Sequence, residues 1–329
     1  MSKKIKKIVC FGGGTGVSVV LSGLKGYPLD LIGIVPMFDS GGSSGKLRKE
    51  LGVPPLGDIR QGITCTSDNI ISKFFYYRPD GENMGNYLLI EAKDKTGSLE
   101  SAIKKWEKKL GSKAHIIPGT LKNADIVAVL KNGKKIKEEE KIINCPDVSK
   151  IGIKRLFLVP NVRANPKAVS AIKNADLIII CPGKFYTSIL SNLLMKGISE
   201  SIRKSRAKKV FICNLMTQVG NTDNFSVEDF VSMLEKYLGK DGIDYVIFNT
   251  GKLSKNSLKE VKKVFPGAEF IKYNNRLLKE KKFIGVDILD RKIRKLNPAD
   301  ILVKGANQRT IVFHDSKKLA KIILNLCNV

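Results

Sequence analysis

What the chain has little of narrows its class before any motif does. Its 329 residues hold two histidines and six cysteines (Cys10, Cys65, Cys145, Cys181, Cys213 and Cys327) with no CxxC pair. These cysteines sit far apart and mostly inside apolar runs, which excludes a disulfide framework or a zinc site and fits a reducing cytosol. Aromatic residues make up 7% of the chain, with a single tryptophan. No arginine-rich stripe interleaved with rings is present, although single-strand nucleic-acid binders use one to stack bases and follow the backbone. No apolar run approaches the roughly 18 residues of a membrane span. Behind the basic N-terminus, Ile8 to Phe11 is too short for the core of a signal peptide. A soluble cytoplasmic protein with no membrane insertion is the expectation.

Acidic residues are also scarce, 31 against 58 basic ones, for a formal charge of +27. Clustered cations would neutralise phosphates and release counterions. Here the excess is lysine, 47 against 11 arginines, scattered from Lys3 to Lys321. That distribution reads as a solvated surface that attracts anions, and nucleic acid is not the expected partner.

What is present is an alternation of β-branched apolar runs and helical patterns, the signature of a parallel sheet covered on both faces. The clearest strands are Ile8–Phe11, Leu31–Val35, Leu156–Val159, Leu177–Cys181, Val210–Cys213 and Tyr245–Phe248. Helix candidates are Val17–Leu24, Pro166–Asn174, Ser188–Leu194, Ser226–Tyr237 and Ser316–Leu326, with Ser226 and Asp229 spaced to cap a helix start. The predicted fold is α/β, a doubly wound, mostly parallel, Rossmann-like sheet in one domain over 1–329. Lys131-Asn132-Gly133-Lys134, between two extended runs, predicts a β-hairpin excursion over about 114–143. The basic segment 252–295 is less regular and reads as a possible peripheral subdomain.

Five loops carry the candidate chemistry. Gly12-Gly13-Gly14-Thr15-Gly16 follows the first strand and opens a helix, so its amides can approach a phosphate at a positive helix end. Val17 stands where a dinucleotide fingerprint needs its third glycine. Asp39 lies about 25 residues after the first glycine, near the place where doubly wound folds hold a ribose hydroxyl. It leads into Ser40-Gly41-Gly42-Ser43-Ser44-Gly45-Lys46-Leu47-Arg48, rich in amides and hydroxyls but without the Walker pattern. Asp58 and Arg60 follow a Pro-Pro turn, where they form a surface ion pair or hold an anion or a metal. Pro182-Gly183-Lys184-Phe185-Tyr186-Thr187-Ser188 repeats the order of strand, glycine turn and helix, and Asn214 to Asp223 supplies amides and hydroxyls suited to a base or sugar. Loops of this kind at one sheet edge build one crevice. Neither His115 nor His314 has a nucleophile in triad arrangement.

These segments, in this order, resemble the YvcK/CofD family, whose patterns are GGGTG, DDGGSSGRLR, PPGDIR, GHxxGN, PGSLYTSI and CNxMTQPGET. The resemblance is closer to the YvcK branch of gluconeogenesis factors, needed for cell shape and able to bind UDP-sugars. The CofD branch comprises transferases that attach a phospholactyl-type group from a guanylylated donor to a deazaflavin, with magnesium. The family's second aspartate is Ser40 here, its histidine is Glu82, the serine of PGSLYTSI is Lys184, and the arginine of a C-terminal RHD is Phe313. The resemblance implies a ligand-binding set of Gly12, Gly13, Gly14, Thr15, Gly16, Asp39, Gly41, Gly42, Ser43, Ser44, Arg48, Asp58, Arg60, Asn86, Gly183, Tyr186, Thr187, Asn214, Thr217, Gln218 and Thr222. Asp39 and Asp58 are the candidate contacts for Mg2+ carried with a bound nucleotide. The implied ligand is a nucleotide or nucleotide-sugar, a UDP-sugar first, bound by a regulatory factor. The alternative is a CofD-like 2-phospho-L-lactate-type transferase. A homodimer is expected only from the general frequency of symmetric assemblies.

Overall fold

Runs such as Leu177-Ile178-Ile179-Ile180 become strands because branched side chains suit a pleated surface and can be buried on both faces of a parallel sheet; all four are at most 1% exposed. The computed structural model describes residues 5–78, 81–292 and 312–328. Seven strands form the main sheet: β1 (Lys6–Phe11), β2 (Leu29–Val35), β3 (Ala114–Pro118), β7 (Leu177–Ile180), β8 (Lys208–Ile212), β9 (Tyr245–Asn249) and β10 (Phe283–Val286). Their order is β10-β9-β8-β7-β1-β2-β3 and every neighbouring pair is parallel. The expected doubly wound α/β fold is therefore the fold observed.

A second sheet of three strands is formed by β4 (Asp125–Leu130), β5 (Lys135–Lys137) and β6 (Ile153–Val159), in the order β5-β4-β6 and antiparallel throughout. The Asn-Gly turn does join β4 to β5, pairing Ala128 with Ile136. Two parts of the expected excursion differ. Ala114–Pro118 belongs to the main sheet as its edge, Ile116 pairing with Gly33. The extended run ends at Glu138, whose φ of 81° breaks the strand, and Glu139–Ile143 is a helix, α6. Leu156–Val159, predicted from its apolar run as another parallel strand, lies in the small sheet instead. Strand type is visible in such a run, but its partner is not.

Helices cover both faces. On one side α1 (Gly14–Leu24), α3 (Gly57–Cys65), α4 (Met84–Thr96), α5 (Leu99–Leu110) and the C-terminal α10 (Ser316–Cys327) contribute Leu21, Ile63, Leu89, Trp106 and Ile323 to a core with Ile8, Cys10 and Ile179. On the other, α7 (Pro166–Lys173), α8 (Val227–Leu238) and the small sheet join Val9, Phe11 and Ile180 through Ile172, Phe230 and Ala128. Burying each of the valine, leucine, isoleucine and phenylalanine side chains contributes roughly 1.5–3 kcal/mol. The cap read from Ser226 and Asp229 is a reciprocal capping box at the start of α8. Within 252–295, α9 (Lys255–Val264) is followed by β10, which extends the main sheet by pairing with β9. Residues 293–295 lie outside the described residues.

Candidate functional site

The strand order reverses between β1 and β7: β1 continues to β2 on one side, while β7 continues to β8 on the other. Loops leaving the carboxyl ends of such a pair diverge and leave a crevice between them. The two loops touch where only glycine fits. A Cβ on Gly16 would lie 1.8 Å from the carbonyl oxygen of Pro182, and one on Gly13 2.9 Å from Ser188 Oγ. Gly13 occupies the N-cap of α1 with no side chain to close the helix end. Asn214, just beyond β8, ties the second wall by exchanging two bonds with Gly183: it accepts from the amide at 3.2 Å and donates to the carbonyl at 2.8 Å.

The next loop along the edge follows β2 and enters α2 (Gly42–Leu51). Gly41 N–H donates to Asp39 Oδ1 at 3.1 Å, and Gly57 N–H donates to Ser44 Oγ at 3.1 Å, linking the starts of α2 and α3. Gly45 must be glycine because its Cβ would fall 2.0 Å from the carbonyl oxygen of Ser40. Ser40 itself faces the small helix after β5, its hydroxyl accepting from Glu140 N–H at 3.0 Å. That contact fixes Glu139 beside the crevice: Asp39 Oδ1 and Glu139 Oε2 both lie 3.7 Å from the point where a Gly41 Cβ would stand. Asp58, in the first turn of α3, approaches from the opposite side, with Oδ2 3.7 Å from the Gly13 Cβ position.

Lys184 reaches into this ring of carboxylates from the rim. Its side chain is 42% exposed, yet Nζ lies 3.0 Å from Glu139 Oε1, and the Glu139 side chain is 6% exposed. Burial among protein atoms pushes Asp39 up to about 7, Glu139 adds to the rise, and Lys184 moderates it. The same desolvation lifts Asp58 to about 6 against the Gly14 N–H bond and Lys184, which both favour its charge. For Lys184, desolvation works against the ammonium, but Glu139, Asp39 and Asp58 together outweigh it and its pKa is raised. The site therefore holds an excess of weakly acidic carboxyl groups around one cation, a setting where protonation responds to an arriving charged ligand.

The structure thus gathers Gly12, Gly13, Gly14, Gly16, Asp39, Gly41, Ser44, Asp58, Gly183 and Asn214 around one crevice. Thr15 and Gly42 start their helices beside it, and Thr15 Oγ1 donates to Gln61 Oε1 at 3.1 Å. Ser43 lies in the first turn of α2. Other members of the expected set are engaged elsewhere. Arg48 Nη2 sits 2.9 Å from both Asp125 Oδ1 and the Ala124 carbonyl, binding α2 to the small sheet. Arg60 is 4% exposed; it donates to the Phe75 carbonyl at 3.2 Å and lies over the Tyr76 ring, with Asn86 buried nearby in α4. Tyr186 packs on Phe185 and Phe225 and borders a separate cleft of about 220 Å³ with Tyr237 and Lys154. Thr187 is buried, and its Oγ1 has no hydrogen-bond partner among the described residues. Thr222 closes its own loop, its Oγ1 accepting from Gln218 N–H, and Thr217 ties that loop to the segment before β10, its Oγ1 accepting from Glu269 N–H.

Sequence reasoning missed Glu139 because it fell inside an expected strand, where alternation would have put it on a hairpin surface. Lys184 was visible as a departure from the family pattern, but not its reach. His314 proves to be a structural tie, with Nε2 3.0 Å from the Cys213 carbonyl just before Asn214, while Asp315 caps α10 through the amides of Lys317 and Lys318. Among the described residues no group of three histidine, cysteine, aspartate or glutamate side chains is disposed to hold a metal ion. None of the described helices is long and apolar enough to cross a membrane.

Comparison with known proteins agrees with this layout. The family model for 2-phospho-L-lactate transferase CofD matches residues 8–293. The gluconeogenesis factor of Bacillus subtilis is 34% identical over 97% of this chain and 98% of its own. That of Listeria innocua is 40% identical over 78% and 82% respectively. A crystal structure of a UPF0052 family protein from Bacillus halodurans superposes with a TM-score of 0.85 at 31% identity, covering 98% of this chain and all of that one. The glycine loops, their order along the sheet edge and this full-length similarity together make the chain a member of the YvcK/CofD family, on the side of its gluconeogenesis factors.

Proposed function

We propose that the crevice between β1 and β7 binds the phosphates of a nucleotide-sugar, a UDP-sugar first, and that the protein works as a cytoplasmic binding factor linking gluconeogenic growth to cell-wall and cell-shape control. The observation that carries this reading is the contact of the Gly12–Gly16 turn with Pro182 and Gly183 at the reversal of strand order. It leaves the N-terminus of α1, with no capping side chain, facing the place where a diphosphate would lie. Asn214 and Gly183 brace the opposite wall, and Asp39 stands where a ribose hydroxyl would be held. Gluconeogenic growth enters through the name of the relatives and cell shape through the family resemblance, and the glycine loops support the ligand class.

Isothermal titration with UDP-N-acetylglucosamine tests it. Saturable one-site binding, weakened at least about tenfold in Gly13→Val, where a β-branched side chain would intrude on both Ser188 and the ligand, is the expected result. No binding of any UDP-sugar by the folded protein would remove the reading. The CofD match supports a second one, a phospho-group transferase in which an acceptor hydroxyl attacks the phosphorus of a guanylylated donor, GMP leaves with the electrons of the broken P–O bond, and Asp58 or Asp39, already raised toward neutrality, takes the hydroxyl proton. Binding of GDP in place of UDP-sugars, together with transfer to a deazaflavin acceptor, would establish it.

A further inference from the structure

Between Asp39, Asp58 and Glu139 the chain places an ammonium group, and we infer that Lys184 is a built-in cation that makes this crevice independent of divalent metal. Three carboxylates drawn to one sheet edge would ordinarily be an invitation to magnesium, which binds through one or two carboxylates together with ligand phosphates. Here the place beside them is already taken by the Lys184 ammonium. Glu139 turns Oε1 to Lys184 Nζ at 3.0 Å and Oε2 toward the side of Asp39. One oxygen of Asp39 accepts the Gly41 amide, and the other lies toward α3, 3.8 Å from the Gly57 Cβ position. Asp58 lies against Gly14, with Oδ1 2.9 Å from the position of a Gly14 Cβ. Asp39 thus spends part of its accepting capacity on backbone, and Glu139 on lysine.

The placement of Lys184 is specific. It is the N-cap of the π-helical turn Phe185–Leu190, directly behind Gly183, so its backbone belongs to the wall of the crevice and its side chain spans the mouth to Glu139. Glu139 is in turn held by the Ser40 contact to its neighbour Glu140. The serine at position 40 and the lysine at position 184 act together: one brings a third carboxylate in from the small sheet, and the other neutralises it. A lysine is a compact point charge with three donors. With one donor on Glu139, two remain for a ligand phosphate, the same service a magnesium ion renders by bridging carboxylate and phosphate. The ligand class is therefore an anion bound without metal.

Direct titration of the full chain with Mn2+, followed by calorimetry and by loss of the free-ion electron paramagnetic resonance signal, tests this with no nucleotide present, so it stands or falls apart from the nucleotide-sugar reading. The wild type is expected to take up no stoichiometric Mn2+ at micromolar to low millimolar concentration. Lys184→Ala is expected to acquire one site at least about tenfold tighter than any in the wild type, since removing the ammonium frees Glu139 beside Asp39, whose Oε2 and Oδ1 lie 3.7 Å from one common point. Adding Asp39→Asn to that variant should abolish the gain. If circular dichroism shows Lys184→Ala unfolded, Lys184→Met, which keeps the stem, takes its place. One Mn2+ bound by the wild type and lost in Asp39→Asn would overturn the inference. So would a folded Lys184 variant that gains no metal.

Discussion

At the carboxyl end of β8 and across the gap between β1 and β7, the protein handles titratable groups in two different ways. His314 is sealed, 8% exposed, with Nε2 on the Cys213 carbonyl; burial alone drives its pKa down to about 4, so it is neutral at physiological pH. A few residues along the same edge, Asp39, Asp58, Glu139 and Lys184 keep opposite charges together in a recess that water still reaches. The first arrangement contributes stability and offers nothing to a ligand. The second costs stability, since carboxyl groups are held against their preference to ionise in water, and it supplies adjustable charge where the glycine loops meet. Strain of this sort concentrates where a fold does its work.

The comparison can be broken most severely at the joint the two regions share. Gly16→Val would drive a Cβ into the carbonyl oxygen of Pro182, 1.8 Å from its ideal position. Backbone cannot yield there without separating β1 from β7, so a loss of roughly 3 kcal/mol or more, or failure to fold, is expected in urea denaturation. Gly26→Ala, with nothing within 4 Å, is the control that should change little.

His314 gives the next largest effect. Its folded pKa lies below its ordinary 6.5, so the folded state binds fewer protons than the unfolded one. Stability is complete above about 6.5 and is lost as pH falls toward about 4, by roughly 2–3 kcal/mol over that window. His314→Gln, which keeps a donor for the Cys213 carbonyl, should flatten this part of the stability profile measured by denaturant titration at each pH. An unchanged slope would mean that the imidazole is not the group responsible.

How far these features were legible in the sequence depends on whether their cause is local. The Gly12–Gly16 turn, the capping box at Ser226 and the strand character of Leu177–Ile180 depend on neighbours within a few residues, and all were read correctly. The Asn-Gly turn fixed the β4–β5 hairpin but not its end. The left-handed backbone at Glu138, which starts a helix and brings Glu139 to the crevice, depends on the Ser40 contact 100 positions away in sequence. Leu156–Val159 was recognisable as a strand, but nothing local says that it pairs with β4 in place of the main sheet. The candidate site was therefore legible as a set of loops, while its charge arrangement, in which Lys184 replaces the expected serine, appears only once the loops are brought together.

Asp39→Asn sharpens the comparison with the opposite sign. Because the folded pKa of Asp39 is raised to about 7, the folded state holds its proton longer than the unfolded chain does. Stability associated with this group is fully present below about 4 and is lost as pH climbs through about 7. At pH 8 the amide variant is expected to be more stable than wild type by on the order of 1–2 kcal/mol, a figure reduced for the water that reaches the recess. The gain should vanish below about pH 3, where the wild-type carboxyl is mostly protonated in both states. Stability rising with pH between 4 and 8 in the difference between wild type and variant would contradict the assignment.

The smallest effect separates scaffold from site within a single helix. Arg48 belongs to the segment that resembles the family's DDGGSSGRLR pattern, but its guanidinium is bound to Asp125 and to the Ala124 carbonyl, with its side chain 15% exposed. Removing it should cost about 1–2 kcal/mol, the usual worth of a partly buried charge-assisted pair, because Asp125 keeps a second partner in Lys137 at 3.2 Å. The same Arg48→Ala protein should bind a UDP-sugar within about threefold of wild type, since no ligand contact has been taken away. If binding instead fell while the melting temperature held, the arginine would have to swing from the small sheet to the ligand on binding, and α2 would then be a moving part of the crevice rather than its fixed support.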